Sequence, residues 1–337
     1  MSLYPVNDIM VSVCVVTYNH GKYIGTCLDH ILRQRRKFRI EILIHDDAST
    51  DGAQEVIRAY QKRYPDIIKP ILRVENQYSQ GITNISGAFN FPRAVGKYVA
   101  LTDGDDYWCD DYKLQRQVDY MEAHPECGFT FHSAKVVTED GALVNGELMR
   151  PYHESRVVKP AELVDKATGS PFASFLLRRE IVEKLPDYYV DCPVGDRPLE
   201  LMAADYGDSY YFDEPMSVYR FGIRGSWTEN QMNGDYVEKQ RKYAVDMWKM
   251  YHRFDAETGG RFHEACEHAG RRVEFLTAVN TRNFDVIYRP ENAGFLQELS
   301  RHDRFFIDFE HRFPKLYHGL RRLKSGAPKQ IEEKGSV

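Results

Sequence analysis

Three carboxylates within four residues, Asp103, Asp105 and Asp106, close the apolar run Tyr98-Val99-Ala100-Leu101-Thr102. Like charges this close repel one another and are costly to desolvate, so a fold that crowds them needs a counter-charge. A divalent cation supplies one compactly. Carboxylate oxygens at a strand end, with Gly104 between them to let the backbone approach, suit Mg2+ or Mn2+ and suit Zn2+ poorly. Such ions keep positions open for substrate phosphate oxygens. The plain alternative is an exposed acidic turn, for which Asp-Gly is a common signal.

The segments before that run alternate between strand and helix. Met10–Thr17 is rich in β-branched residues and reads as a buried, parallel strand ending in the polar turn Tyr18-Asn19-His20-Gly21. Lys22–Gln34 follows with Ile24, Cys27, Leu28, Ile31 and Leu32 at helical spacing. Glu41–His45 is a second strand, closed by Asp46-Asp47-Ala48-Ser49-Thr50-Asp51-Gly52, and Gly52–Tyr64 a second helix. A third strand is expected near Ile68–Val74, and a helix over Ile85–Val95 that Pro92 must kink or shorten. Lys97–Thr102 is the next strand, and Lys113–His124 a helix with Leu114, Val118 and Met121 inward. Alternation of this kind predicts a doubly wound α/β sheet, whose ligands bind beyond the carboxyl ends of the strands. Three polar clusters then share one rim: Thr17-Tyr18-Asn19, Asp46-Asp47, and Asp103-Gly104-Asp105-Asp106.

Composition narrows the class. A chain of 337 residues, 42% hydrophobic and 28% charged, is that of an ordinary soluble protein with one large domain or two. Its net charge of −5 argues against a general nucleic-acid binder. The six cysteines are scattered without zinc-like spacing, which suits a reduced, cytoplasmic protein. No run reaches the roughly 18 apolar residues that span a bilayer, and no signal peptide precedes the first strand, so any membrane contact is expected to be peripheral.

The series VSVCVVTYNHGKYIGTCLDHIL, EILIHDDASTDGA and GKYVALTDGDDYWCDDYKLQRQV resembles the nucleotide-sugar half of family 2 glycosyltransferases, over roughly the first 130 residues. The resemblance implies the GT-A fold, a Rossmann-like α/β architecture with a mixed sheet, and inverting transfer from a UDP-, GDP- or dTDP-linked sugar. It implies that Thr17, Tyr18, Asn19 and one of Asp46 or Asp47 hold the nucleotide base, the second aspartate being the usual contact. A turn or helix-cap role for Asp47 is the alternative. The family's DxD motif falls on Asp103, Gly104 and Asp105, which implies ribose contact and Mn2+ or Mg2+ on the diphosphate. Asp106 is a further ligand or a supporting group.

Further along, Pro193-Val194-Gly195-Asp196-Arg197-Pro198-Leu199-Glu200 resembles the family stretch that carries the catalytic base, and the base falls on Asp196. An N-cap on the helix Pro198–Tyr206 is the alternative reading, and both roles are compatible. Tyr219-Arg220 followed by Phe221-Gly222-Ile223-Arg224-Gly225-Ser226 resembles the family's closing segment. Arg220, Arg224 and Ser226 are the expected diphosphate clamp, although Phe221-Gly222 stands where a histidine is common, which puts a histidine metal ligand in doubt.

From Asp235 the pattern changes to long helices, expected over Tyr236–Phe254, Gly260–Val279 and Ala293–Phe313. The expected division is a transferase domain over 1–230 (donor half 1–130, acceptor half 131–230), a helical appendage over 231–324 and a disordered tail over 325–337. Phe305–Lys324 mixes aromatic and basic residues, as in a helix lying on an anionic membrane or in a docking helix with a solvated basic face. The whole reads as a metal-dependent hexosyltransferase acting on a glycan, lipid-linked acceptors included. Two rivals are a sugar-phosphate nucleotidyltransferase, for which Thr17–Gly21 is a poor phosphate loop, and a non-catalytic nucleotide-sugar-binding module.

Overall fold

The computed structural model describes residues 9–166, 169–223, 227–232 and 234–325. Ten strands form one mixed sheet. They are β1 (Ile9–Thr17), β2 (Arg39–Asp46), β3 (Ile68–Leu72), β4 (Tyr98–Asp103), β5 (Tyr107–Trp108), β6 (Cys127–Val137), β7 (Leu143–Met149), β8 (Arg156–Val158), β9 (Leu176–Arg178) and β10 (Asp208–Arg220). Their order is β3-β2-β1-β4-β9-β6-β10-β5, with β7 beside β6 and β8 beside β10. The β3-β2-β1-β4 half is parallel, as the alternating pattern predicts. Strand β9 runs antiparallel to both β4 and β6 and joins that half to the rest.

Val11, Val13 and Val15 of β1 and Ile40, Ile42 and Ile44 of β2 point to one face of the sheet. Helices α1 (Ile24–Leu32), α2 (Ala53–Arg63) and α3 (Lys113–Ala123) cover that face with Cys27, Leu28, Ile57, Leu114 and Val118. Both faces of the central strands are buried, which is why their sequences are nearly unbroken apolar runs. At the amino end of the sheet, buried Glu41 accepts hydrogen bonds from Ser12 Oγ (2.6 Å), the Val95 amide (3.0 Å) and Lys69 Nζ (2.5 Å), so a charge inside β2 is fully partnered.

Several expected elements differ. Residues 86–93 form a π turn and a 3-10 turn in place of a continuous helix, broken where Pro92 removes a donor. Strand β10 runs unbroken through Glu214-Pro215; its pairing with β6 slips between Phe212 and Ser217 and so absorbs the proline in a bulge. Strand β8, paired to β10, lies ahead of the helix α4 (Pro160–Val164). Two further helices, α5 (Asp187–Val190) and α6 (Asp196–Tyr206), lead into β10.

The chain then becomes helical: α7 (Trp227–Met232), α8 (Tyr236–Glu257), α9 (His263–Asn280), α10 (Phe284–Ile287), α11 (Ala293–Glu298), α12 (Arg301–Arg312) and α13 (Pro314–Ser325). The single helix expected over Ala293–Phe313 is two, because Ser300 caps a new start by accepting from the Asp303 amide at 3.0 Å. Backbone contacts divide the chain into two compact units, between Gly270 and Arg271. The second has its own small core of Phe275, Ala278, Val286, Ile287, Phe295 and Ile307. Among the described residues, no helix is long and apolar enough to cross a membrane. The residues expected as a disordered tail lie, from 326 on, outside the described residues.

Candidate active site

Strand register assembles the rim. Thr17 of β1 is level with Asp46 of β2, and Val16 is level with Asp103 of β4, so the three polar clusters stand side by side at the carboxyl ends of parallel strands. The Asp47 amide donates to Thr17 O (2.9 Å) and the Gly104 amide to Val16 O (2.8 Å), carrying the ladder one step past the strands. Asn19, in a left-handed conformation at φ 56°, accepts from the Thr50 amide at 2.8 Å and donates its own amide to Ser49 Oγ at 2.8 Å. It ties the loop after β1 to the loop after β2.

The two aspartates of the second cluster are already engaged. Buried Asp46 accepts from the Ser49 amide (3.0 Å), Ser49 Oγ (2.5 Å) and Gln54 Nε2 (2.7 Å). Asp47, 2% exposed, accepts from the amides of Gln77 (2.8 Å) and Tyr78 (3.0 Å) and lies 3.4 Å from His45 Nε2. A carboxylate has about four lone-pair sites, so Asp47 keeps room for one further donor while holding the 77–78 loop over the rim. Tyr18 and Tyr78 are the exposed aromatic surfaces of this corner.

The third cluster is the electrostatic centre. Gly104 packs so tightly on β1 that a Cβ there would lie 2.6 Å from Thr17 Oγ1 and 3.2 Å from His20 Nδ1. Thr17 Oγ1 and His20 Nδ1 are buried and have no hydrogen-bond partner among the described residues. His20 Nε2 is 3.6 Å from Asp105 Oδ2. Burial, then the charges of Asp105 and Asp196, push the Asp103 carboxyl up to about 8. Asp106 is raised well above the carboxylate range by burial, then by Asp105 and Asp103, with the Arg220 amide opposing. Arg220 closes the cluster from β10: its amide donates to Asp106 Oδ1 (3.0 Å) and its Nη1 to Asp105 O (2.9 Å). Its guanidinium lies between the rings of Tyr23 (5.0 Å) and Tyr107 (4.8 Å).

Among the described residues, no three His, Cys, Asp or Glu side chains come close enough together to enclose a metal ion by themselves. That donor set still fits Mg2+ or Mn2+, which such sites bind through one or two carboxylates with the remaining positions filled by phosphate and water. Repelling carboxylates and orphaned polar atoms around Gly104 are groups that a cation with an anionic ligand would satisfy.

Asp196 faces this cluster closely enough for its charge to act on Asp103. It is the first residue of α6, Gly195 is the N-cap, and the Asp196 carboxylate accepts from the adjacent Arg197 amide at 2.7 Å. Burial, then the charge of Glu200, raise its pKa, against the neighbouring amide and Lys166. Beneath it lies a buried network absent from the sequence expectations. Glu200 accepts from Lys166 Nζ and Arg197 Nη1, both at 2.6 Å, and Arg197 Nε donates to Tyr251 OH at 2.9 Å. Asn84 Nδ2 donates to Tyr189 O (2.5 Å) and Cys192 O (3.1 Å), pinning the loop that presents Asp196.

Of the expected site residues, Thr17, Tyr18, Asn19, Asp46, Asp47, Asp103, Gly104, Asp105, Asp106 and Arg220 gather on one rim. Arg224 and Ser226 lie outside the described residues. His20, Tyr23 and Tyr107 are additions to the site: they lie within the quoted motifs, but only the fold turns them toward Asp105 and Arg220. A cavity of about 500 Å³ lined by Glu180, Leu185, Tyr188, Asp205, Tyr206 and Glu257 shares no residue with the rim.

The model of "Glycosyl transferase family 2" matches residues 12–186, more than half of the chain. An uncharacterized protein of Mycobacterium tuberculosis, Rv1520, is 34% identical over 225 residues, which are 64% of this chain and 60% of that protein. The chain thus spans about 60% of the length of this relative. The putative teichuronic acid biosynthesis glycosyltransferase TuaG of Bacillus subtilis is 33% identical over 39% of this chain and 49% of its own. The Escherichia coli UDP-Glc:alpha-D-GlcNAc-diphosphoundecaprenol beta-1,3-glucosyltransferase WfaP is 33% identical over 34% of this chain and 41% of its own. Among solved structures, S. aureus TarS 1-349 in complex with UDP-GlcNAc superposes with a TM-score of 0.56 at 17% identity, over 96% of this chain and 94% of that one. The mannosyltransferase PcManGT from Pyrobaculum calidifontis, in complex with GDP-Man and Mn2+, gives 0.52 at 18% identity, over 96% and 89%. These two likenesses establish the GT-A-like fold, with its C-terminal helical region.

Proposed function

The chain belongs to glycosyl transferase family 2, and from that premise we propose that it moves a hexosyl group from a nucleoside-diphosphate sugar to a glycan hydroxyl with inversion. The observation that carries the reading is that Asp196, at the start of α6, is near enough to the Asp103–Asp106 cluster for its charge to raise the Asp103 pKa. A displacement at an anomeric carbon needs a base on one side and a charge-accepting leaving-group site on the other.

In this scheme the donor lies beyond β1, β2 and β4. Thr17 Oγ1, Tyr18, Asn19 and the free lone pair of Asp47 meet the nucleoside, and Asp46 holds the loop that carries Asp47. Gly104 lets the turn that carries Asp103 and Asp105 close on Thr17 and His20. Asp103 and Asp105 would hold Mn2+ or Mg2+, while Asp106 fixes Arg220. The metal, when bound, offsets the charge that develops on the diphosphate as it departs. Arg220, with Arg224 and Ser226, is the proposed clamp on that diphosphate. Asp196 takes the proton from the acceptor hydroxyl. The new C–O bond forms as the bond to the β-phosphate oxygen breaks, and the electron pair leaves with the nucleoside diphosphate.

UDP, GDP and dTDP sugars are the candidate donors; TarS and PcManGT hold UDP-GlcNAc and GDP-Man. The acceptor is proposed to be a surface-polysaccharide intermediate, as the name of TuaG suggests, and lipid-linked, as that of WfaP suggests, with transfer at the cytoplasmic face of a membrane as part of the proposal. Residues 1–130 are assigned to the donor, 131–230 to the acceptor and 231–324 to a helical appendage. The test is transfer of label from a panel of nucleotide sugars to lipid-extracted glycans. Wild type should transfer, and Asp196→Asn should keep donor affinity while transfer falls by about 10²–10⁴-fold. Transfer by Asp196→Asn at the wild-type rate, or none by wild type from any donor, overturns the proposal.

A further inference from the structure

Helix α12 has two faces. Ile307 and Glu310 are buried, with Ile307 in the small core of the second unit and Glu310 paired with Arg282 Nε at 3.0 Å. On another face Phe305, Phe306, Phe309 and Phe313 recur at helical spacing, and they are not part of that core. Phe305 stacks on Phe309 (6.0 Å between centroids), Phe309 lies 5.8 Å from Phe313, and Tyr317 of α13 meets both Phe306 (6.5 Å) and Phe309 (6.2 Å). The rings form one unbroken chain of contacts, and Leu316 and Leu320 of α13 are exposed as well. Phe305 is 60% exposed, Phe313 55% and Leu316 54%. A soluble protein rarely leaves such a contiguous apolar surface uncovered.

Charge identifies what covers it. Residues 301–325 carry seven Lys or Arg against three Asp or Glu, a net of +4, in a chain whose net charge is −5. Arg301, Arg312 and Lys315 are exposed on the same two helices. A two-fold contact between copies would press like charges together, since such an interface sets a patch against itself. Exposed aromatics flanked by cations are the pattern of a helix lying at a bilayer surface, with rings at the headgroup–acyl boundary and cations on lipid phosphates.

We infer that the α12–α13 face docks the protein on an anionic lipid surface. This inference rests on the second unit alone and stands or falls independently of the donor site.

The full chain is tested by flotation with phosphatidylcholine vesicles, with and without phosphatidylglycerol. Wild type should float with the anionic vesicles at low salt and dissociate near 1 M salt, where the screening length is about 3 Å. Phe305→Ser/Phe313→Ser/Leu316→Ser should lower vesicle partition by at least about tenfold. Arg301→Gln/Arg312→Gln/Lys315→Gln should bind more weakly and lose much of the salt dependence. All six substituted sites are exposed, so circular dichroism and nucleotide affinity should match wild type for both variants. Wild type that stays unbound at low salt overturns the inference, as does equal binding to neutral vesicles or a serine variant that floats like wild type. Self-association abolished by the serine substitutions, without vesicle binding, would assign the face to a second copy and also overturn it.

Discussion

Replacing Glu200 by Gln tests whether the buried network under Asp196 supports both the fold and the base. Glu200 and Lys166 side chains are each 2% exposed, and Arg197 is 12% exposed. Gln keeps the shape and one acceptor but removes the charge, leaving two buried cations without their counter-ion. Breaking a buried pair in this way costs about 3–5 kcal/mol, and the remaining amide acceptor favours the lower end. Against a whole stability of about 5–15 kcal/mol that is a large fraction. With a urea slope near 3 kcal/mol/M, it moves the midpoint down by about 1 M. The effect has a pH signature. Burial alone would raise the Glu200 pKa, but Lys166 and Arg197 outweigh it and hold the carboxyl below its ordinary value. A depressed folded pKa contributes stability that is present above the unfolded value of about 4.3 and is lost as pH falls through the folded value. The gap between wild type and variant should therefore be full at pH 7 and shrink below about pH 4.3. Catalysis adds a second signature, since the charge of Glu200 helps raise Asp196. Removing it lowers that pKa, and the acid limb of the activity profile should move to lower pH. A urea shift under about 0.3 M at pH 7, or an acid limb that moves upward, would refute the reasoning.

Two smaller perturbations probe the rim. Gly104→Ala sets a Cβ against Thr17 Oγ1 and Cβ at 2.6 and 2.7 Å; it should cost about 1–3 kcal/mol in a thermal melt and weaken diphosphate affinity, and wild-type values for both would contradict the close approach. Arg220→Lys loses the flat group between Tyr23 and Tyr107 and the bond to Asp105 O. It should lower stability by about 1–2 kcal/mol and nucleotide-diphosphate affinity by about tenfold in calorimetry.

Much of this arrangement was legible in the residue pattern, for a physical reason. Strands buried on both faces must be apolar throughout, so Met10–Thr17 and Lys97–Thr102 announce their own ends where Tyr18 and Asp103 begin. Local pattern does not record pairing between distant segments. Strand β8 is only three residues long and exists because β10 offers it an edge. Lys166 and Glu200 are 34 residues apart, and nothing in either neighbourhood signals a shared buried charge. His20 stood beside the quoted Thr17–Asn19 cluster, yet its approach to Asp105 depends on the β1–β4 register. In the last helices the aromatic period was visible, while the break at Ser300, which comes from a capping bond, was not.

The most direct measurement is calorimetric titration of UDP, GDP and dTDP into wild type and Asp105→Ala, each with and without Mn2+. One diphosphate should bind wild type, Mn2+ should strengthen it at least about tenfold, and Asp105→Ala should remove the metal-dependent part while its melting profile stays intact. No binding of any diphosphate to wild type, or equal metal-dependent binding to Asp105→Ala, would contradict a donor site at the carboxyl end of β4.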